Sequence, residues 1–247
     1  MCTVTIVPNS ADSAGFRMAC SRDEQHGRLP ARPPQPHTIG GLDALMPIDP
    51  VSNGTWVGVN TAGLALTLLN YNLPDPPTGR DASRGAVIPA LLGARSVHEV
   101  IQSLKTIERE RMMPFRLVAC DGDALLIWRS TDPVERVVLD PWQGEPVMFT
   151  SSGLGDHLVE PPRRELFNGW FSEGVSSYLE AQHAFHRHRW PDREHLSVCM
   201  NREDARTVSY TTVDVHPQRV TMAYHPDRPD REAHGRSITL QRKLAPR

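Results

Sequence analysis

The feature that most constrains the fold is a stretch of alternating, β-branched residues that begins at the second position of the chain. The segment 2–7 (CTVTIV) predicts a β-strand, because β-branched residues with a period of two suit a pleated surface. Polar residues at 9–15 predict a turn, and the apolar run 16–20 predicts a second strand that pairs back as a hairpin. The hairpin would return the charged run 21–24 (SRDE) to the side of Cys2.

Cys2 would become the terminal residue if the initiator methionine were removed, and methionine aminopeptidases act when the second residue is small. A terminal cysteine holds nucleophile and base in one residue, because its α-amino group, with an ordinary pKa of about 7.7–8.0, accepts the thiol proton. Arg22 would favour the thiolate, and Asp23 would orient the α-ammonium or accept its proton. The alternative is that Cys2 is a buried packing residue and that the charged run is a solvated loop.

Four ordered landmarks carry a family resemblance: MCTV at 1–4, CSRDE at 20–24, GTWVGVN at 54–60 and GLALTLLN at 63–70. Together they resemble the NRDE-motif family, also called the transport and Golgi organisation family, with Ser21 at the position of the first Asn. The same landmarks are similar to those of cholylglycine hydrolase and penicillin V acylase, which are N-terminal nucleophile hydrolases. Pattern alone predicts an α+β fold, and the resemblance implies a four-layer αββα sandwich.

The resemblance also implies further site residues. Asn70 matches an oxyanion-hole asparagine of the cholylglycine hydrolases, although an Asn that ends a strand more commonly satisfies a turn. A second asparagine of those enzymes falls at Ser151 or Ser152, whose shorter hydroxyls would serve through water. A late catalytic arginine would correspond to Arg202 or Arg206.

The remaining pattern indicates one domain over residues 1–247, rich in strands. Residues 25–53, with many Pro and Gly, are predicted to be an irregular excursion at the rim of the active site, and the segment 226–247 a flexible tail. Predicted strands lie at 56–60, 64–70, 115–120, 124–130, 134–139, 147–150, 207–216 and 219–224, and predicted helices at 85–109, interrupted near Gly93, and at 161–172 and 176–188.

Composition excludes several classes of protein. A formal net charge of −2 provides no field that would attract nucleic acid, and no apolar run is long enough to predict a membrane span or a secretory signal. We therefore expect a cytoplasmic protein. Four widely spaced cysteines indicate neither a disulfide framework nor a zinc site, and no cofactor is expected.

A histidine cluster, His183, His186 and His188, suggests a metal site, but with two arginines interleaved we favour an exposed basic helix end. Such a patch would also bind an anion, for example a phosphate or a porphyrin propionate.

Three hypotheses follow. In the first, Cys2 is the nucleophile of a hydrolase that cleaves a non-peptide C–N amide of a small-molecule acyl substrate. In the second, implied by the family resemblance, the protein is a non-catalytic carrier of haem or lipid such as acyl-CoA. In the third, Cys2 is only a packing residue.

Overall fold

A computed structural model describes residues 2–10, 13–137, 139–172, 177–231 and 235–243. Within these ranges, thirteen strands form two antiparallel sheets. The first sheet has the order β10-β1-β2-β11-β12-β13 and consists of β1 (Cys2–Ser10), β2 (Ser13–Gln25), β10 (Val147–Thr150), β11 (Ala205–Val215), β12 (Arg219–His225) and β13 (Arg236–Gln241). The second sheet runs in sequence order and consists of β3 (Arg32–Ile39), β4 (Leu42–Ile48), β5 (Val57–Asn60), β6 (Ala65–Asn70), β7 (Phe115–Cys120), β8 (Ala124–Arg129) and β9 (Asp140–Pro141).

The two sheets stack face to face, and the alternation of the strands creates the core between them. Along β1, Cys2, Val4 and Ile6 join this core, whereas the intervening threonines lie on the opposite face of the sheet. Val57 and Val59 enter the same core from the second sheet. The N-terminal hairpin predicted from the sequence is therefore central to the fold.

Helices cover both outer faces. Helices α1 (Val87–Leu91) and α2 (Val97–Ser103) bury their apolar residues against the outer face of the second sheet. Helices α3 (Asp156–Trp170) and α4 (Tyr178–Arg187) lie on the first sheet, where Phe167 and Phe185 pack against Met148. The four layers are thus helix, sheet, sheet and helix, which confirms the predicted αββα sandwich.

One segment expected to be irregular is ordered. The prediction for 25–53 is wrong for residues 32–48, because β3 and β4 form a hairpin that turns at Gly40 and Gly41, both with positive φ. Strand β3 contains three prolines and is the edge strand of its sheet, where a missing N–H costs no ladder hydrogen bond.

Three smaller differences concern element boundaries. The strand predicted at 134–139 is wrong for its described residues, which include a 3-10 turn at Val134–Arg136, while residue 138 lies outside the described ranges. Helix α3 begins at Asp156, well before the predicted 161, because the Asp156 carboxylate in its first turn accepts the N–H of Ser152. The expected tail after 226 includes strand β13, which pairs with β12.

None of the helices in the described part of the chain is both long and apolar enough to cross a membrane.

Candidate active site

Cys2 is held at the start of β1 by neighbours on both sides. Its register partner on β2 is Arg22, and its carbonyl accepts the backbone N–H of Ser151, 3.0 Å away, just beyond β10. The Cys2 nitrogen donates in turn to the Ser151 hydroxyl oxygen at 3.3 Å. The side chain is buried but lines a cavity of about 130 Å³ at the end of the sheets. The nitrogen that would become the α-amine therefore has a fixed partner.

A second cysteine, Cys20, affects the pKa of the Cys2 thiol. Cys20 lies diagonally across the hairpin on the same face, where hydrogen bonding from its thiol has the largest effect on the pKa of Cys2. This bond lowers the pKa of Cys2, helped by the positive charge of Arg22 and opposed by burial. The same bond raises the pKa of Cys20. The sequence offered a signal for this pair, because alternation along a strand puts Cys20 on the side of Arg22.

Arg22 is buried and is paired with two carboxylates. Its guanidinium donates to Asp49 at 2.7 Å and to Glu24 at 3.1 Å, and it stacks on the Trp56 ring at 4.5 Å from the centroid. Asp49 also accepts from Arg28, and although burial raises the pKa of this carboxyl, hydrogen bonds from Ser52 and Arg28 hold it below its usual value. Arg22 is thus a rigid positive charge at the wall of the cavity.

Asp23 lies on the other face of the same strand. It accepts a hydrogen bond of 2.6 Å from the Thr207 hydroxyl and is not part of the cavity lining. Burial raises the pKa of Asp23, and the positive charge of Arg163 opposes that rise. Because Arg22 and Asp23 are consecutive in a strand, they act on Cys2 from opposite sides of the sheet.

Arg163 of α3 is a buried residue that the sequence did not reveal. It donates to the hydroxyls of Thr3 and Thr150, both at 2.7 Å, and to the carbonyls of Leu196 and Ser197 at 2.9 and 2.6 Å. Burial lowers its pKa to about 10. Thr3 and Thr150 are chain neighbours of Cys2 and Ser151, so Arg163 fixes the strand ends that carry both.

His186 is buried beneath the hairpin. Its ring nitrogens lie 2.8 Å from the Thr5 and Ser21 hydroxyls, and burial lowers its pKa to about 3. The predicted exposed basic helix end is therefore wrong for this residue. Ser21, at the Asn position of the motif, is short enough to leave room for the imidazole. Both ring nitrogens are occupied, and no group of three metal-ligating side chains occurs in the ranges that the structure describes.

Asn70 ends β6 and lines the Cys2 cavity. Its carboxamide has no hydrogen-bond partner among the described residues, whereas the neighbouring Asn72 donates to the Ser152 carbonyl at 2.7 Å. Ser152 is engaged in the turn that leads into α3, so Ser151, and not Ser152, meets Cys2.

Neither proposed late arginine lines the cavity. Arg202 pairs with Asp204, and the half-exposed Arg206 lies 3.5 Å from Asp227. The cavity is instead lined by Arg84, which the sequence analysis did not select. Arg84 begins a 3-10 turn whose Gly85 carbonyl accepts the N–H of Thr55, at 3.0 Å.

The fold and this site define an αββα sandwich with a cysteine of lowered pKa at the head of an interior strand. A family model described as "Transport and Golgi organisation 2" matches residues 1–187, and the chain belongs to that family. A search of curated proteins found no match.

Two solved structures are similar in fold. A mutant conjugated bile acid hydrolase from Clostridium perfringens has 12% identity and a TM-score of 0.49, covering 100% of this chain and 99% of its own. The Caenorhabditis elegans orthologue of N-acylethanolamine-hydrolyzing acid amidase has 12% identity and a TM-score of 0.49, covering 85% of this chain and 91% of its own.

Proposed function

We propose that the protein is an N-terminal cysteine hydrolase that cleaves a non-peptide C–N amide bond of a small acyl substrate. The observation that carries the proposal is that Cys2 combines a candidate nucleophile, its thiol, with a candidate base, its nitrogen. The Cys2 thiol has a lowered pKa and faces a cavity, and the Cys2 nitrogen is hydrogen-bonded to Ser151. Removal of Met1 would convert that nitrogen into the general base.

In the proposed reaction, the α-amine of Cys2 takes the thiol proton and the thiolate attacks the amide carbon, forming a C–S bond. The carbonyl oxygen becomes an oxyanion that accepts a hydrogen bond from the free carboxamide of Asn70. The ammonium then gives its proton to the leaving nitrogen as the C–N bond breaks. Water attacks the thioester, the amine takes a proton from the water, and the carboxylic acid and the thiol are released.

The other site residues have supporting parts in the proposal. In this proposal the Ser151 hydroxyl accepts the N–H of Cys2 and so orients the amine. Ser151 is then a positioning residue, whereas the family resemblance implied that it contacts the oxyanion. Arg22 favours the thiolate electrostatically, and Asp23, on the opposite face, favours the ammonium. Because the reaction needs a reduced Cys2, the proposal places the protein in the reducing cytoplasm.

The test begins with the intact mass of untagged protein, which we expect to lack one methionine. This protein is screened against acyl amides for amine release, with Cys2→Ala as the inactive variant. Cys199→Ala is the matched control, because Cys199 is a buried thiol bonded to Asp230 and lies outside the cavity. A trapped acyl group on the N-terminal peptide would support the thioester. Turnover that survives in Cys2→Ala, or an active enzyme that retains Met1, would refute the proposal.

The alternative of haem transport would need an axial ligand such as Cys2 or a histidine of the cluster at 183–188. His186 does not favour it, because both of its ring nitrogens lie within hydrogen-bond distance of hydroxyls.

A further inference from the structure

Arg84 differs from the other arginines of the Cys2 cavity in having no carboxylate partner among the described residues. Its one hydrogen bond runs from a terminal nitrogen to the Pro114 carbonyl at 3.2 Å. A guanidinium has five N–H donors, so most of its donors are unused. Burial lowers the pKa of Arg84, and the charges of Cys2 and Glu24 oppose this effect. The guanidinium is thus a partly desolvated cation that faces the nucleophile.

The other charges of the cavity are already matched. Arg22 and Arg28 share the Asp49 carboxylate, and Arg22 also binds Glu24. The cavity lining therefore contains three cations and two carboxylates, and the unmatched positive charge is that of Arg84.

The position of Arg84 is fixed by close contact of two backbones. A Cβ on Gly54 would lie 2.5 Å from the Gly85 backbone, and the Thr55 N–H bonds to the Gly85 carbonyl. The Ser83 hydroxyl accepts the N–H of Gly85 and caps the turn. Arg84 consequently projects from a fixed part of the cavity wall, and the lining also includes Trp56 and Leu68, which provide apolar surface. A backbone that is fixed in this way reduces the entropy that Arg84 loses when its guanidinium binds an anion.

We propose that Arg84 selects substrates that carry a carboxylate close to the scissile amide. This inference rests on the proposed function and names the substrate class of the same site. Cys2 and Arg84 line the same cavity of about 130 Å³. A carboxylate that meets Arg84 while Cys2 attacks the amide must therefore lie close to the reacting carbonyl. A bidentate pair with the planar guanidinium is the strongest polar contact available there.

The test uses two alkylating reagents of nearly equal shape, the anion iodoacetate and the neutral iodoacetamide. In both reactions the Cys2 thiolate forms a C–S bond and iodide leaves, so no substrate or turnover is required. Rates at Cys2 are measured by mapping the N-terminal peptide in the wild type, in Arg84→Gln and in Arg84→Lys. Arg80→Gln is the matched control, because Arg80 is exposed, belongs to the same segment and lies outside the cavity.

We expect Arg84→Gln to lower the ratio of iodoacetate rate to iodoacetamide rate by about tenfold, equivalent to about 1.4 kcal/mol. Arg80→Gln should leave the ratio unchanged, and Arg84→Lys should restore part of it. Salt at 1 M should slow iodoacetate alone. A circular dichroism spectrum that matches the wild type shows that Arg84→Gln is folded, and the ratio of the two rates cancels any change in the thiolate fraction of Cys2, which affects both reagents equally.

If Cys2 reacts with both reagents but the ratio is the same in wild type and Arg84→Gln, the role of Arg84 is refuted and the hydrolase proposal stands. If Cys2 reacts with neither, the reactive nucleophile is refuted and both proposals fail.

Discussion

Replacing Arg163 with methionine removes the buried cation that ties α3 to the strand ends around Cys2. The carbonyls of Leu196 and Ser197 then lose a donor, at about 1–3 kcal/mol each when buried. Thr3 and Thr150 keep the 3.1 Å bond between their own hydroxyls. Asp23 also loses the nearby positive charge that opposes the rise of its pKa on burial, which adds to the cost. Since these terms overlap, we expect a total loss of about 4 kcal/mol.

Urea unfolding followed by tryptophan fluorescence measures this loss. With an m value of about 2–3 kcal/mol per M, the midpoint should fall by about 1.3–2 M. Arg164→Met is the matched control, because Arg164 is the next residue of the same helix but is partly exposed and pairs with Glu160, so its loss should cost under about 1 kcal/mol. Equal midpoints for the two variants would refute the assignment of Arg163 as a buried anchor.

Three further outcomes are expected. Cys20→Ala should raise the pKa of Cys2, seen as a shift of its alkylation profile to higher pH, because the thiol donor is gone. Gly54→Ala should destabilise the protein by about 1–3 kcal/mol in urea unfolding, since the new Cβ meets the Gly85 backbone. His186 has a pKa of about 3 in the folded protein and 6.5 in the unfolded chain, so the unfolded chain binds an extra proton as the pH falls. The free energy of unfolding should therefore fall by about 1 kcal/mol between pH 6.5 and 5.5. The variant His186→Gln should lack this contribution.

Each of these outcomes has a control within the chain. Cys199→Ala should leave the pH profile of Cys2 alkylation unchanged. If Cys199→Ala shifts this profile as much as Cys20→Ala does, the effect of Cys20 on the pKa of Cys2 is contradicted. Gly169→Ala, in helix α3 with open space around it, should be neutral or stabilising, and a loss as large as that of Gly54→Ala would argue against the backbone clash. His98→Gln, at an exposed site, should keep the wild-type pH dependence; if His186→Gln keeps it too, the buried neutral imidazole is not its source.

Local patterns predicted the parts of the fold that depend on neighbours in the chain. The alternation in β1 and β2 and the polar residues at 9–15 predicted both the hairpin and the meeting of Cys2 with Arg22. The β3–β4 hairpin was missed because prolines in a segment argue against a strand, and the sequence does not show that β3 occupies an edge.

The missed site residues share a physical reason. Arg84 and Arg163 act on Cys2 from segments more than 80 positions away, and an arginine in a turn or helix ordinarily indicates exposure. His186 looked like part of a basic surface patch because its hydroxyl partners, Thr5 and Ser21, lie on strands far from it in sequence. Long-range polar pairing leaves no local periodicity to detect.

The interior position of β1 sets a time limit on the maturation of the proposed enzyme. Strand β1 lies between β2 and β10, and Cys2 is bonded to Ser151, 149 residues later in the chain. We expect an aminopeptidase to act on the chain while this strand is unpaired, and therefore before Ser151 has been synthesised and docked. At about 5–20 residues per second, that interval lasts about 7–30 s. Chains that miss it would fold around an unprocessed terminus, so the active fraction would be decided during translation.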